Sequence, residues 1–113
     1  MRFLLIAISL LAISSVALAS SSSQRSRGAA VFDASGCRHC HTIGNVGGHR
    51  GPDLSDIGQR SSEAAIRQQI VNGSKIMPAF GTVLQQDELR DLIVYLRSCR
   101  QKPTKVQLSA GPD

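Results

Sequence analysis

Apolar positions along the chain form one unbroken run followed by three helical signals. Residues 3–19 read FLLIAISLLAISSVALA, almost wholly apolar. Between residues 62 and 72, Ile66 and Ile70 stand four apart, which puts them on one face of a helix. Ser61 or Ser62 is placed to cap that helix, Glu63 suits its positive first turn, and Gly73 is placed to end it in the left-handed conformation. From residue 86 to 100, Leu89, Leu92, Ile93 and Leu96 recur at helical period, with Tyr95 and Cys99 at the flank. Asp87, Glu88 and Asp91 come early there and Arg97 and Arg100 late, which suits the helix dipole. Its cap, Gln85 or Gln86, is poor, because Ser, Thr or Asp is the expected type, so the first turn is expected to fray. A shorter helical signal covers residues 26–34 and stops before Gly36. No segment alternates with period two, and β-branched residues are scattered. The expected fold class is all-α, with three to four helices.

The stretches between these elements set the domain organisation. GNVGGHRGPDLSDIGQR, residues 44–60, carries five glycines and a proline and reads as a long, shaped loop. Such a loop implies something to wrap around. SSSSQRSRG, residues 20–28, is Ser-rich and is expected to be a loose leader. The apolar start follows Arg2, the only charge before Arg25, and ends in Ala17-Leu18-Ala19. A basic start, an apolar core and an A-x-A site describe a cleaved export signal. An uncleaved anchor is the weaker reading, since 17 residues interrupted by Ser9, Ser14 and Ser15 sit at the short edge of a span. The expected division is a signal peptide over 1–19, a flexible leader over 20–27, one domain over 28–100 and a mobile tail over 101–113.

Charge and composition narrow the function. Loss of Arg2 with the signal takes the formal charge from +5 to +4. There is no Lys/Arg run and no basic stripe with interleaved aromatics, so nucleic acid is not indicated. The surplus is either a solvated surface or an attraction to an acidic partner. Beyond the signal only Phe32, Phe80 and Tyr95 are aromatic. So small a domain is marginal in buried area and short of core. A staple or a large apolar cofactor would make up the shortfall.

Two cysteines and two histidines crowd into Cys37–His41, and Cys99 makes an odd third thiol. Zinc requires four ligands, usually as two short-spaced pairs, and only Cys37 and Cys40 form a pair. Dithiol redox chemistry normally accompanies a βαβ pattern, which is missing here. C-x-x-C-H is also a c-type haem attachment. Two thiols then form thioethers to the two vinyl groups, and the next residue, His41, is carried beneath the iron. Met77 is the only Met beyond the signal and lies 36 residues after His41, far enough for the chain to pass around a macrocycle about 10 Å across. A thioether opposite a His raises the reduction potential.

The motifs together resemble a small class I, mono-haem bacterial cytochrome c over about residues 28–100. Gly28 and Phe32 resemble the family's Gly-x-x-x-aromatic on the first helix, and Leu92, Tyr95 and Leu96 its last helix. Cys37, Cys40 and His41 match the haem motif, and Gly51-Pro52-Asp53-Leu54 the GPDL turn. Met77, Pro78 and Phe80 match the distal ligand segment. The resemblance implies helices and a Gly-rich loop around one covalent haem c, with His41 and Met77 on the iron. It implies that the Pro52 carbonyl orients His41, that Leu54 packs on the haem and that Arg60 reaches a propionate. Cys99 has no ligand role in the family and is expected as a small buried hydrophobe.

The implied function is periplasmic electron transfer between redox partner proteins. Arg38, Arg50 and Lys75 would steer docking to acidic patches on those partners. The expected form is a monomer, without stable membrane insertion once the signal is removed. The alternatives are a haem subunit of a dehydrogenase or oxidase complex, or a peroxidase or ligand sensor if Met77 is off the iron.

Overall fold

The computed structural model describes residues 20–101. The expected export signal and residues 102–113 of the expected tail lie outside the described residues. Helix α1 covers the described residues 20–34. A 3₁₀ turn follows at Cys37–His39, then a two-stranded ladder of β1 (Thr42–Ile43) and β2 (Val46–Gly47). Helices α2 (Ile57–Arg60), α3 (Glu63–Asn72) and α4 (Gln86–Ser98) complete the order. The fold is mostly helical, as the apolar stripes indicate.

Three local expectations change. Residues 20–27, expected as a loose leader, are helical. Two side-chain contacts each span one turn of that segment: Ser26 Oγ donates to Ser22 O at 3.1 Å and Arg27 Nη1 to Ser23 Oγ at 2.9 Å. The Gly-rich loop is more ordered than its composition suggests. Its start, Val46–Gly47, pairs antiparallel with Thr42–Ile43 just before it, with Gly44 at φ 65° in the turn, and it carries the short α2. The poor cap of α4 is repaired from within, because the Glu88 carboxylate reaches back to accept from the Gln85 backbone N–H at 2.9 Å. For α3 the expected cap holds, since Ser62 accepts from Ala65 N, while Gly73 ends the helix at φ 65° and ψ −158°, a glycine conformation other than the expected left-handed helical one.

Phe32, Ile57, Ile66, Ile70, Leu84, Leu89, Leu92, Ile93, Leu96 and Cys99 form one buried core. Helix α4 supplies its centre and packs on α2 and α3. Helix α1 crosses α4 so closely that a Cβ on Gly28 would overlap the Asp91 carbonyl oxygen. One turn on, the Phe32 and Tyr95 rings meet edge-on with centroids 5.9 Å apart. The exposed guanidinium of Arg27 closes the same crossing on Asp91 at 2.7 Å. At the other end of α4, Gly58 N donates to Cys99 O at 2.8 Å and Arg97 Nη1 to Ser61 O at 2.6 Å. These contacts fix α2, and hence the loop before it, against the helical frame.

Candidate haem site

The 3₁₀ turn presents the Cys37–His41 cluster. His41 N donates to Cys37 O at 2.9 Å, so the His follows one turn after the first thiol. Cys37 and Cys40 are free and half-buried. Burial pushes the Cys37 thiol above its ordinary pKa. A reactive dithiol needs the opposite shift, so the redox-disulfide reading loses ground. Among the described residues, no group of three His, Cys, Asp or Glu side chains is placed to hold a metal ion, as the zinc reading requires.

The His41 ring is held by the GPDL turn. Its Nδ1 lies 2.7 Å from Pro52 O. A carbonyl only accepts, so the proton sits on Nδ1 and the lone pair is left on Nε2. A Cβ on Gly51 would come 2.6 Å from His41 Cε1, so glycine is what lets this backbone pass beside the ring. The turn is braced in its own right. The Asp53 carboxylate accepts from Ser55 N at 2.8 Å and Ser55 Oγ at 2.6 Å, and these bonds lower its pKa. Arg60, the last residue of α2, pairs with Asp56 at 2.7 Å and donates to Asp53 O at 2.5 Å. Three of its five N–H groups remain for another acceptor.

Met77 lies beyond α3 in a segment folded back by Gly73. Ser74 N donates to Met77 O at 2.8 Å, and Met77 N donates to Ser74 Oγ at 3.3 Å. Gln69 Nε2 donates to the Met77 sulfur at 3.5 Å. Sequence reading missed Gln69 and Ser74. The available signal was Gly73, which turns the chain so that α3's last turns face the segment following them. Leu54, Met77 and Phe80 join Val31, Cys37, Ile43 and Val71 as half-buried apolar residues that border the core without entering it.

These features fit a c-type haem. The Cys37–His41 turn supplies two thiols and an imidazole with its tautomer set, the segment after α3 supplies the Met77 thioether, and half-buried apolar residues border the core. Other expected residues are placed outside this constellation. Arg38 pairs with Asp33 and lies 5.4 Å over the Phe32 ring, so its charge is partly neutralised. His39 and His49 are exposed, His49 against Thr42 Oγ1 at 3.5 Å. Cys99 is buried at 8% exposure, and burial raises its pKa.

Residues 23–96 match the family model described as cytochrome c oxidase, cbb3-type, subunit III. Over 87 residues the chain is 31% identical to cytochrome c oxidase subunit 2 of Alkalihalophilus pseudofirmus, covering 66% of this chain and 25% of that protein. It thus spans about a quarter of the length of that curated relative. The fold matches the crystal structure of the c-type cytochrome SorU from Sinorhizobium meliloti with a TM-score of 0.61 and 21% identity. That match covers 74% of this chain and 99% of the other, and at this identity it speaks to fold alone.

Proposed function

The chain belongs to the c-type cytochrome family of cbb3-type oxidase subunit III, and from that premise we propose that it is a periplasmic one-electron carrier with His41 and Met77 as axial ligands. Haem-based electron transfer is the family's work, and covalently bound haem c with iron is its cofactor. When bound, the group supplies an Fe(III)/Fe(II) couple. Cys37 and Cys40 hold it through thioethers. Pro52 O holds the His41 proton on Nδ1, which orients the imidazole and raises its basicity toward iron. Leu54 adds apolar contact, and the free N–H groups of Arg60 serve a propionate. The single observation that carries this reading is the 2.7 Å bond from His41 to Pro52, because it leaves Nε2 as the ring's free donor atom.

A ligated Met77 leaves no open iron position, so peroxidase and sensor chemistry are disfavoured. The clasp of Met77 by Ser74 and Gln69 supports that ligation. Redox proteins are the partners. Acidic docking patches on those partners and a monomeric state complete the proposal. Both the family description and the curated relative concern oxidase subunits, which favours a terminal oxidase as electron acceptor or host complex.

The test is an optical spectrum of the exported protein, oxidised and reduced, made in cells that attach haem. The expected result is a low-spin c-type spectrum with the far-red sulfur-to-iron band, lost in Met77→Ala. A high-spin spectrum overturns the ligation, and absence of covalent haem overturns the site. Co-purification with oxidase subunits separates a complex member from a free shuttle.

A further inference from the structure

We infer that Gln69 is a positioning residue for the Met77 sulfur, selecting which face of the thioether is offered as a ligand. The inference rests on the proposed Met77 ligation and deepens it. Gln69 lies on α3, eight residues before Met77, with its amide nitrogen 3.5 Å from Sδ. A thioether sulfur has two lone pairs and no proton, so it only accepts. An N–H donor on one lone pair leaves the other for a metal and removes the freedom of the two to exchange.

The backbone of Met77 is already fixed, independently of Gln69. Ser74 exchanges two hydrogen bonds with it, and Gly73 lies so close that a Cβ there would overlap the Met77 carbonyl oxygen. With the main chain anchored, what remains free in Met77 is its long unbranched side chain, and among the described residues Gln69 supplies the hydrogen bond to its end. Gln69 is exposed on α3 and contributes no side chain to the buried core. Its contact with sulfur is therefore not explained by packing.

The experiment compares wild type, Gln69→Leu and Gln68→Leu as holoproteins, with imidazole as the displacing ligand. Leucine keeps bulk and helix propensity and removes the N–H. Gln68, the neighbouring exposed amide, has no bond to sulfur among the described residues and serves as control. Two quantities are read: the imidazole concentration that abolishes the sulfur-to-iron band, and the thermal midpoint. Loss of one hydrogen bond to a weak acceptor is expected to make Gln69→Leu about two- to tenfold easier to displace, with the thermal midpoint close to wild type. Gln68→Leu should match wild type in both. A wild-type protein without the band overturns Met77 ligation and the role of Gln69 with it. A wild-type band that Gln69→Leu and Gln68→Leu leave equally resistant to imidazole overturns the role of Gln69 alone.

Discussion

His41 and Pro52 are joined by a hydrogen bond of 2.7 Å from the imidazole Nδ1–H to the prolyl carbonyl oxygen, with Gly51 passing directly against the ring. The contact couples a residue of the 3₁₀ turn to a turn eleven positions later. It fixes the tautomer and the ring plane of the imidazole together.

Gly51→Ala tests this coupling. Its Cβ would lie 2.6 Å from His41 Cε1, so the ring or the turn has to move. Overpacking of this kind costs about 1–3 kcal/mol. If the shift breaks the bond to Pro52 O, the imidazole becomes a weaker donor and the reduction potential rises. Denaturant midpoints and a redox titration of the variant check both effects. A variant with unchanged stability and potential would show that the ring does not depend on this turn.

Helices α3 and α4 were legible in the sequence because each carries a periodic apolar stripe. Ile66 and Ile70 gave α3 between Ser62 and Gly73, and Leu89, Leu92, Ile93 and Leu96 gave α4. The start of α1 was not legible. SSSSQRSR has no apolar period, and its helix rests on polar side-chain contacts and on the distant Asp91. The His41–Pro52 bond was foreseen through the resemblance, since spacing alone does not show which carbonyl meets the ring. Gln69 was hidden for a different reason. A glutamine on a polar helix face reads as solvated until the fold brings another segment against it.

The crossing of α1 and α4 predicts a steep penalty at Gly28. A Cβ there overlaps the Asp91 carbonyl oxygen and lies 2.6 Å from Tyr95 Cβ. Backbone cannot yield as a flexible side chain does. Gly28→Ala is expected to destabilise the domain by about 1–3 kcal/mol. Phe32→Ala, which removes a ring only 1% exposed, should cost about 3–5 kcal/mol. Urea unfolding of the holoprotein measures both. Equal stability of Gly28→Ala and wild type would contradict the close crossing.

Acid should act on the same crossing. The hydrogen bond from Arg27 holds the Asp91 carboxyl below the usual carboxylate range. A carboxyl depressed in the folded state stabilises above its unfolded pKa of about 3.9 and loses that contribution as pH falls through the folded value. Asp91→Asn is therefore expected to be less stable than wild type at pH 7. The gap should begin to narrow below about pH 4, where the carboxyl of the unfolded chain gains its proton, and close as pH falls through the lower folded value. A urea midpoint difference that stays constant from neutral to acid pH would remove the ion pair from the account.

The basic surface predicts a salt effect on partner docking. The chain carries a formal charge of +5. Lys75 is exposed two residues before Met77, and Arg50 is exposed next to the GPDL turn. Electron transfer to an acidic redox protein should slow as ionic strength rises, because the Debye length falls from about 30 Å at 0.01 M to about 10 Å at 0.1 M. Lys75→Glu should slow the low-salt rate and flatten its salt dependence. Stopped-flow rates over that range decide it, and a rate indifferent to salt would leave these charges as solvated surface.

Thiol counting tests the covalent site and the core at once. Under the proposed attachment, Cys37 and Cys40 would be thioethers in the holoprotein and would not react with a disulfide reagent. Cys99 is buried at the end of α4, its Sγ 3.5 Å from Tyr95 O, with its thiol pKa raised by burial. Buried thiols of raised pKa are inert. The folded holoprotein should therefore give no reactive thiol, and denaturation should expose one. A chain lacking attached haem should instead expose three on denaturation, matching Cys37, Cys40 and Cys99. A thiol that reacts in the folded holoprotein would put Cys99 at the surface, where it would also form a disulfide-linked dimer visible on a non-reducing gel.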